Sequence, residues 1–211
     1  MTSLVKRLEP RWPASIALLS VGGLRLILPR VFSFGPNWVL LVVVGLLVVP
    51  IVWAHYGGLD VLNRILGHLV TSIVTADMIW SLSLLITTIP DRKIAPQEML
   101  RSAAALWVAN ILVFASWYWR LDAGGPNARD RRETHEDGAF LFPQMTMNDD
   151  DNDKWRPGFV DYLFLAFNTS TAFSPTDVPV LSKWAKVMMM LQASISLATL
   201  ALLAARAVNI L

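Results

Sequence analysis

The chain has 211 residues, 55% of them hydrophobic and only 16% charged, with a formal net charge of +2 and no cysteine. So few charges argue against a soluble domain, which carries about 25%, and a net charge this small gives no electrostatic footprint for nucleic acid. The missing cysteine removes disulfides, thiolate nucleophiles and zinc–thiolate centres.

Basic residues Lys6, Arg7 and Arg11 precede the first apolar stretch, but no small-residue cleavage site closes it, so no removed signal peptide is expected. A helix needs roughly 20 apolar residues to cross a bilayer, and five segments are candidates. The first, Ala14 to Arg30, is short and carries Arg25, Gly22 and Gly23. The second, Trp38 to Ala54, is an almost unbroken Leu/Val run. The third, from Ile65 to Ile89, contains Asp77 and stops at Pro90; the fourth, from Leu100 to Trp119, contains Asn110. A carboxylate in mid-span must face protein or water, so Asp77 is expected either to clamp helices together, with Asn110 or Arg25 as partner, or to form an ion or proton site. Trp12, Trp38, Trp53, Trp117, Trp119 and Trp184 fall at candidate ends, as rings that favour the headgroup level do.

Next comes a polar stretch, Arg120 to Gly158, with Gly124-Gly125-Pro126, the mixed-charge run "RDRRETHED" (129–137) and the acidic run "NDDDND" (148–153). The acidic run lacks the sixth-position glycine and twelfth-position glutamate of a calcium loop, so a solvated loop and no metal site are expected there. The same reading covers His135. "GAFLFPQM" (138–145) interrupts this stretch and is expected to pack on the membrane face of the protein.

After Pro157 the segment "FVDYLFLAF" (159–167) is helical in pattern but covers only about 15 Å, half a hydrocarbon thickness. "NTSTAFSPTDVP" follows, and Pro175 and Pro179 prevent regular helix in it. Irregular backbone at membrane depth survives only inside protein or along a water-filled path. The reading is a half-helix and an extended return, a re-entrant loop before the fifth span, which runs from Trp184 to the C-terminus. Gln192, Ser196 and Thr199 recur on one face of that span, as path lining or as helix–helix glue.

Ser170-Thr171-Ala172-Phe173-Ser174 resembles the potassium-channel filter in position and partly in type, with Asp177 and Pro179 like the residues that follow it. Ala172 and Ser174 stand where the filter has glycine, and Pro175-Thr176 is extra. Through "WYWRLDAGGP" (117–126), "FLFPQM" (140–145), "FVDYLFLAFNTSTAFSPTD" (159–177) and "AARAVNIL" (204–211), the chain resembles an uncharacterised family of bacterial integral membrane proteins akin to the pore module of ion channels. The resemblance covers most of the chain and implies fold and location more than mechanism.

The expectation is an all-α protein of the bacterial inner membrane with about five transmembrane helices. Residues 1–119 form a helix bundle, 120–158 an extracytoplasmic loop, and 159–211 a pore-like module completed by the fourth span. Thr169, Ser170, Thr171, Ala172, Phe173, Ser174 and Asp177 are the filter-like residues, with Asp77, Asn110, Gln192, Ser196 and Thr199 as polar groups within spans. The implied function is an ion-channel subunit passing monovalent cations, potassium or sodium, with lipid as its solvent and a homo-oligomer, by analogy a tetramer, to close the path. The alternative is a non-conducting scaffold or accessory subunit. No cofactor is called for. No enzyme fingerprint such as GxGxxG, P-loop, HExxH or GxSxG occurs, and no acid–base pair converges on His55, His68 or His135 by spacing. Arg92, Lys93 and Arg101 favour the turn between spans three and four in the cytoplasm and the acidic loop outside, whereas Lys6, Arg7 and Arg11 pull the N-terminus inward.

Overall fold

The computed structural model describes residues 9–33, 35–88, 94–131, 138–146, 155–171 and 178–208. Among these the protein is all-α, and the nearest approach to a sheet is one antiparallel bridge between Phe140 and Val180. Helix α1, Trp12–Leu24, starts on a proline in its first turn and runs on into a 3-10 turn, Arg25–Ile27. Helices α2, Trp38–Tyr56, and α3, Asp60–Thr87, are joined at Gly58, whose φ of +68° favours glycine. Helix α4, Pro96–Leu121, is followed by the short α5, Pro126–Arg131, then α6, Phe159–Thr171, and α7, Lys183–Val208.

Among the described residues, four helices are long and apolar enough to cross a membrane: α2, α3, α4 with its 3-10 extension, and α7. The first apolar segment forms a shorter helix, Trp12–Ile27, of about 24 Å at 1.5 Å per residue. The third and fourth elements start earlier than the apolar runs. Asp60 begins α3, where a carboxylate suits the positive end of the helix dipole, and a proline begins α4, where a missing N–H costs nothing. Pro50 removes one rung of α2. Beside it, Asn63 Nδ2 of α3 donates to the Ile51 carbonyl at 2.8 Å.

Helix α4 is the axis of the bundle, with α7, α6, α3 and α1 packed around it, while α2 lies outside against α1 and α3. Small side chains on α4, Ser102, Ala103, Ala105, Ala109 and Ala115, let neighbours approach closely. At Gly22 α1 touches α2, and a Cβ there would lie 2.9 Å from Leu41 Cα.

The two ends of the bundle follow from the contacts. Glu9 and Arg11, before α1, meet Asp130 and Arg129 of α5 and Trp119 of α4. Asp60 at the start of α3 meets Asn127 and Arg131. This polar cap therefore gathers the start of α1, the turn between α2 and α3, the end of α4 and the beginnings of α6 and α7. The N-terminal segment shares an end with the loop after α4, as five passes would require. Arg11 is neutralised there by Asp130 and Glu9, so its charge does not act as a free cytoplasmic anchor.

A cysteine at exposed Thr146, near the cap, and one at exposed Gln97, at the far end, are expected to label from opposite sides of intact cells, with a tag ahead of Glu9 on the Thr146 side. Labelling of both cysteines from one side would break this topology.

Candidate functional site

The polar residues of the apolar helices gather in two places inside the bundle and one at its cap. The first joins α6 to its neighbours. Successive polar positions 192, 196 and 199 form one stripe of α7, because residues three and four apart share a helix face. All three are buried. Gln192 Nε2 donates to the Ala166 carbonyl and to Ser170 Oγ, each at 2.7 Å, and its Oε1 accepts the Tyr118 hydroxyl at 2.5 Å. Its main-chain carbonyl accepts Asn110 Nδ2 at 3.2 Å. Ser196 Oγ donates to the Ser170 carbonyl at 2.5 Å and receives Trp107 Nε1 at 2.9 Å. Thr199 Oγ1 turns back to the carbonyls of Ile195 and Ser196. The side chain of one glutamine thus satisfies three polar groups, two on α6 and one on α4, and α6 is held by its last turns.

Thr169, Ser170 and Thr171 belong to α6 itself, which runs four residues past Phe167, so the expected extended return does not begin there. Thr169 Oγ1 donates to the Leu165 carbonyl at 2.8 Å and Thr171 Oγ1 to the Asn168 carbonyl at 3.1 Å, while the Ser170 hydroxyl faces Gln192. Local back-bonding of this kind is what Ser and Thr do within helices. Ala172, Phe173, Ser174 and Asp177 lie outside the described residues, as do His135 and the 148–153 acidic run.

The second place is the ion pair between Arg25, just after α1, and Asp77 in α3, with both side chains largely buried. Asp77 pairs with Arg25, whereas Asn110 bonds to α7; the two do not form the mutual bond that their depth suggested.

The third is the cap, and the polar stretch after α4 gave little hint of it. Ala123 sits at φ 51° and Gly125 at φ 90°, and a Cβ on Gly125 would lie 2.7 Å from the Arg120 carbonyl, so the Gly-Gly-Pro turn stops α4 abruptly. Asp122, fully buried, accepts the Ala139 N–H at 2.5 Å and the Tyr162 hydroxyl at 2.6 Å. Arg129 Nη1 donates to the carbonyls of Trp119 and Asp122 at 2.8 and 2.9 Å. Burial pushes the Glu9 carboxyl up against the opposing pull of Arg129, Trp119 and Arg11, and burial lowers the Arg11 guanidinium. Phe140 and Phe142 do not lie on the membrane face as expected; they are buried among the rings of Tyr118, Tyr162, Trp155 and Trp184. Trp119 is likewise buried, its N–H given to Glu9, while Trp12, Trp38 and Trp53 stay exposed at helix ends.

The sequence signal that could have found this cap is the alternation of Arg and Asp around Trp119, Arg120, Asp122, Arg129 and Asp130, too dense for a solvated loop alone. Beside α6 lies a cavity of about 210 Å3 lined by Gln144, Asp161, Phe164, Asn168 and Val178 among others. Asp161 Oδ2 caps its own helix by accepting the Gly158 N–H at 2.7 Å, and burial raises its carboxyl. The chain matches no family model, no curated protein and no solved structure.

Proposed function

We propose that this chain is a subunit of an oligomeric, pore-loop type ion channel in a bacterial plasma membrane, passing monovalent cations. The observation that carries the reading is the path of the chain around α6. From Phe159, beside Trp119 at the cap, α6 runs about 18 Å and stops at Ser170 and Thr171, level with Ser196 and Trp107. By Val178 to Leu181 the chain pairs with Ala139 to Leu141, back at the cap. Seven steps of at most about 3.6 Å suffice for that return. A half-helix whose start and downstream continuation both lie at one end supports the reading of a re-entrant element, and such backbone is tolerated in a bilayer only inside protein or along water.

The C-terminal end of α6 carries the negative end of its dipole, which favours cations. One such element cannot surround a path, so a closed ring of subunits is required, four by analogy with potassium channels. Only 17% of the most apolar stretch of α7 is buried, which leaves its surface to lipid or to neighbouring subunits. In this reading the oxygens that replace hydration water come from residues 172–177, Asp177 among them, which lie outside the described residues. Thr169, Ser170 and Thr171 anchor rather than line. The scaffold reading keeps one observation in its favour: every hydroxyl in 169–171 already has a partner within the chain.

Flux through proteoliposomes under potassium, sodium and chloride gradients separates the two. A cation flux reduced in Asp177→Asn is expected, with chloride excluded. Thr171→Val removes a hydroxyl already bonded to Asn168 and is expected to leave ion preference unchanged, whereas Ser174→Ala is expected to alter it. An intact oligomer that passes no cation leaves the scaffold.

A further inference from the structure

A crevice opens between α3 and the turn that follows α4, on the cap side of the bundle. Asn63, Arg64, His68, Arg120, Gly125 and Asn127 are among the residues that line it, and it has about 20 Å3 of room, enough for one water-sized group. Arg120 forms its inner wall and is 7% exposed. Its Nε donates to Thr71 Oγ1 at 3.1 Å, and its guanidinium stacks 5.2 Å from the Trp119 ring centre. The plane of the guanidinium lies on bare backbone at Gly67: a Cβ there would sit 2.6 Å from Arg120 Cζ and in hard overlap with Nη1. The glycine is the seat of the arginine.

Among the described residues no carboxylate lies within ion-pair distance of Arg120 or Arg64. The carboxylates of the cap are engaged elsewhere. Glu9 and Asp130 serve Arg11, Glu9 also serves Arg129, and Asp60 serves Arg131 and Asn127. Asp122 takes Tyr162 and the Ala139 N–H. Other polar groups on the crevice wall are also occupied: Asn63 by the Ile51 carbonyl, and Asn127 by Asp60 and Arg11. A nearly buried guanidinium with no counter-charge among the described residues is costly unless an anion joins it, and a second guanidinium, the exposed Arg64, lines the same crevice beside His68.

We infer that this crevice binds the phosphate of an anionic phospholipid headgroup. One phosphoryl oxygen enters the crevice against Arg120, and the rest of the phosphate stays at the mouth with Arg64 and His68. Arginine suits the task because its planar fork matches phosphate geometry and is always charged. A lipid is favoured over free phosphate by what surrounds the site. Val61, Ile65 and Leu69, on the same helix as Arg64 and His68, are exposed apolar side chains along which acyl chains can lie. A zwitterionic headgroup brings its own cation toward two arginines and is disfavoured. The inference needs the chain to lie in a bilayer but not to conduct ions.

The test is the thermal midpoint of the full chain in neutral detergent, titrated separately with phosphatidylglycerol, phosphatidylcholine and inorganic phosphate. Phosphatidylglycerol is expected to raise the midpoint at concentrations where phosphatidylcholine does not. Arg64→Gln, at an exposed position, is expected to weaken that response about tenfold, as the loss of one charged hydrogen bond does. Gly67→Ala, which displaces the Arg120 guanidinium, is expected to abolish it. A response to phosphate alone as strong as to the lipid would uphold the anion site and make free phosphate its occupant. Equal responses to the two lipids, or an Arg64→Gln protein that responds like the wild type, would overturn the inference.

Discussion

Arg25→Met is expected to destabilise the protein by about 3–5 kcal/mol, the range for breaking a buried ion pair from one side. The Arg25 side chain is 3% exposed and that of Asp77 17%. Removing the arginine leaves a carboxylate among Val21, Leu24, Leu106 and Ala109, with the Ser81 hydroxyl as a donor in the same space that cannot replace a full positive charge. Asp77→Leu is expected to cost a similar amount for the opposite reason, a buried guanidinium that loses its carboxylate. The informative variant is the double, Arg25→Met with Asp77→Leu. An apolar pair of similar volume can replace a buried ion pair at little cost, so the double should recover most of the stability that either single change loses. The readout is the fraction of folded protein after heating in detergent for all four proteins. A double variant that loses the sum of the two single losses would show that Arg25 and Asp77 act separately. Loss of cation flux in a double variant that remains fully folded would instead assign the pair to the ion path.

Gln192→Leu is the second large effect. Interhelical hydrogen bonds in membrane proteins average about 0.6 kcal/mol, because helices separated in lipid find other partners. Here that relief is limited. The Tyr118 hydroxyl and Ser170 Oγ sit in a region with no solvent exposure to speak of, and both lose their described partner at once. Leaving buried polar groups unpaired costs about 1–3 kcal/mol each, so a total loss of about 2–4 kcal/mol is expected. It should appear first as release of α6, since Gln192 grips both Ala166 and Ser170. A cysteine at Ala166 should therefore become reactive in Gln192→Leu well below the global unfolding temperature. Ser196→Ala removes a single hydroxyl from the same turn and should expose it less. If Ala166 stays protected in both, α6 is held by apolar packing alone and the polar hub is incidental.

The sequence by itself determined the helices and their apolar character. Long Leu/Val runs, prolines at helix starts and the Gly-Gly-Pro stop act through local backbone physics, and they bound the elements to within a few residues of where they lie. It also singled out Gln192, Ser196 and Thr199 through their spacing, because a helix repeats its face every three or four residues. Only the tertiary structure decided what those residues touch. Asp77 could have met Asn110 or Arg25 at similar depth, and the packing of the helices puts Arg25 on Asp77 while Asn110 turns to α7. The helical state of Thr169 to Thr171 was likewise decided from outside the segment. Carbonyls at Ala166 and Ser170 find donors on α7, and that support carries α6 through residues whose side chains compete for the backbone. The cap around Asp122 and Arg129 was illegible for the same reason. Its partners come from positions as far apart as Glu9 and Tyr162, and pairing across such separations depends on how the helices pack rather than on any periodicity along the chain.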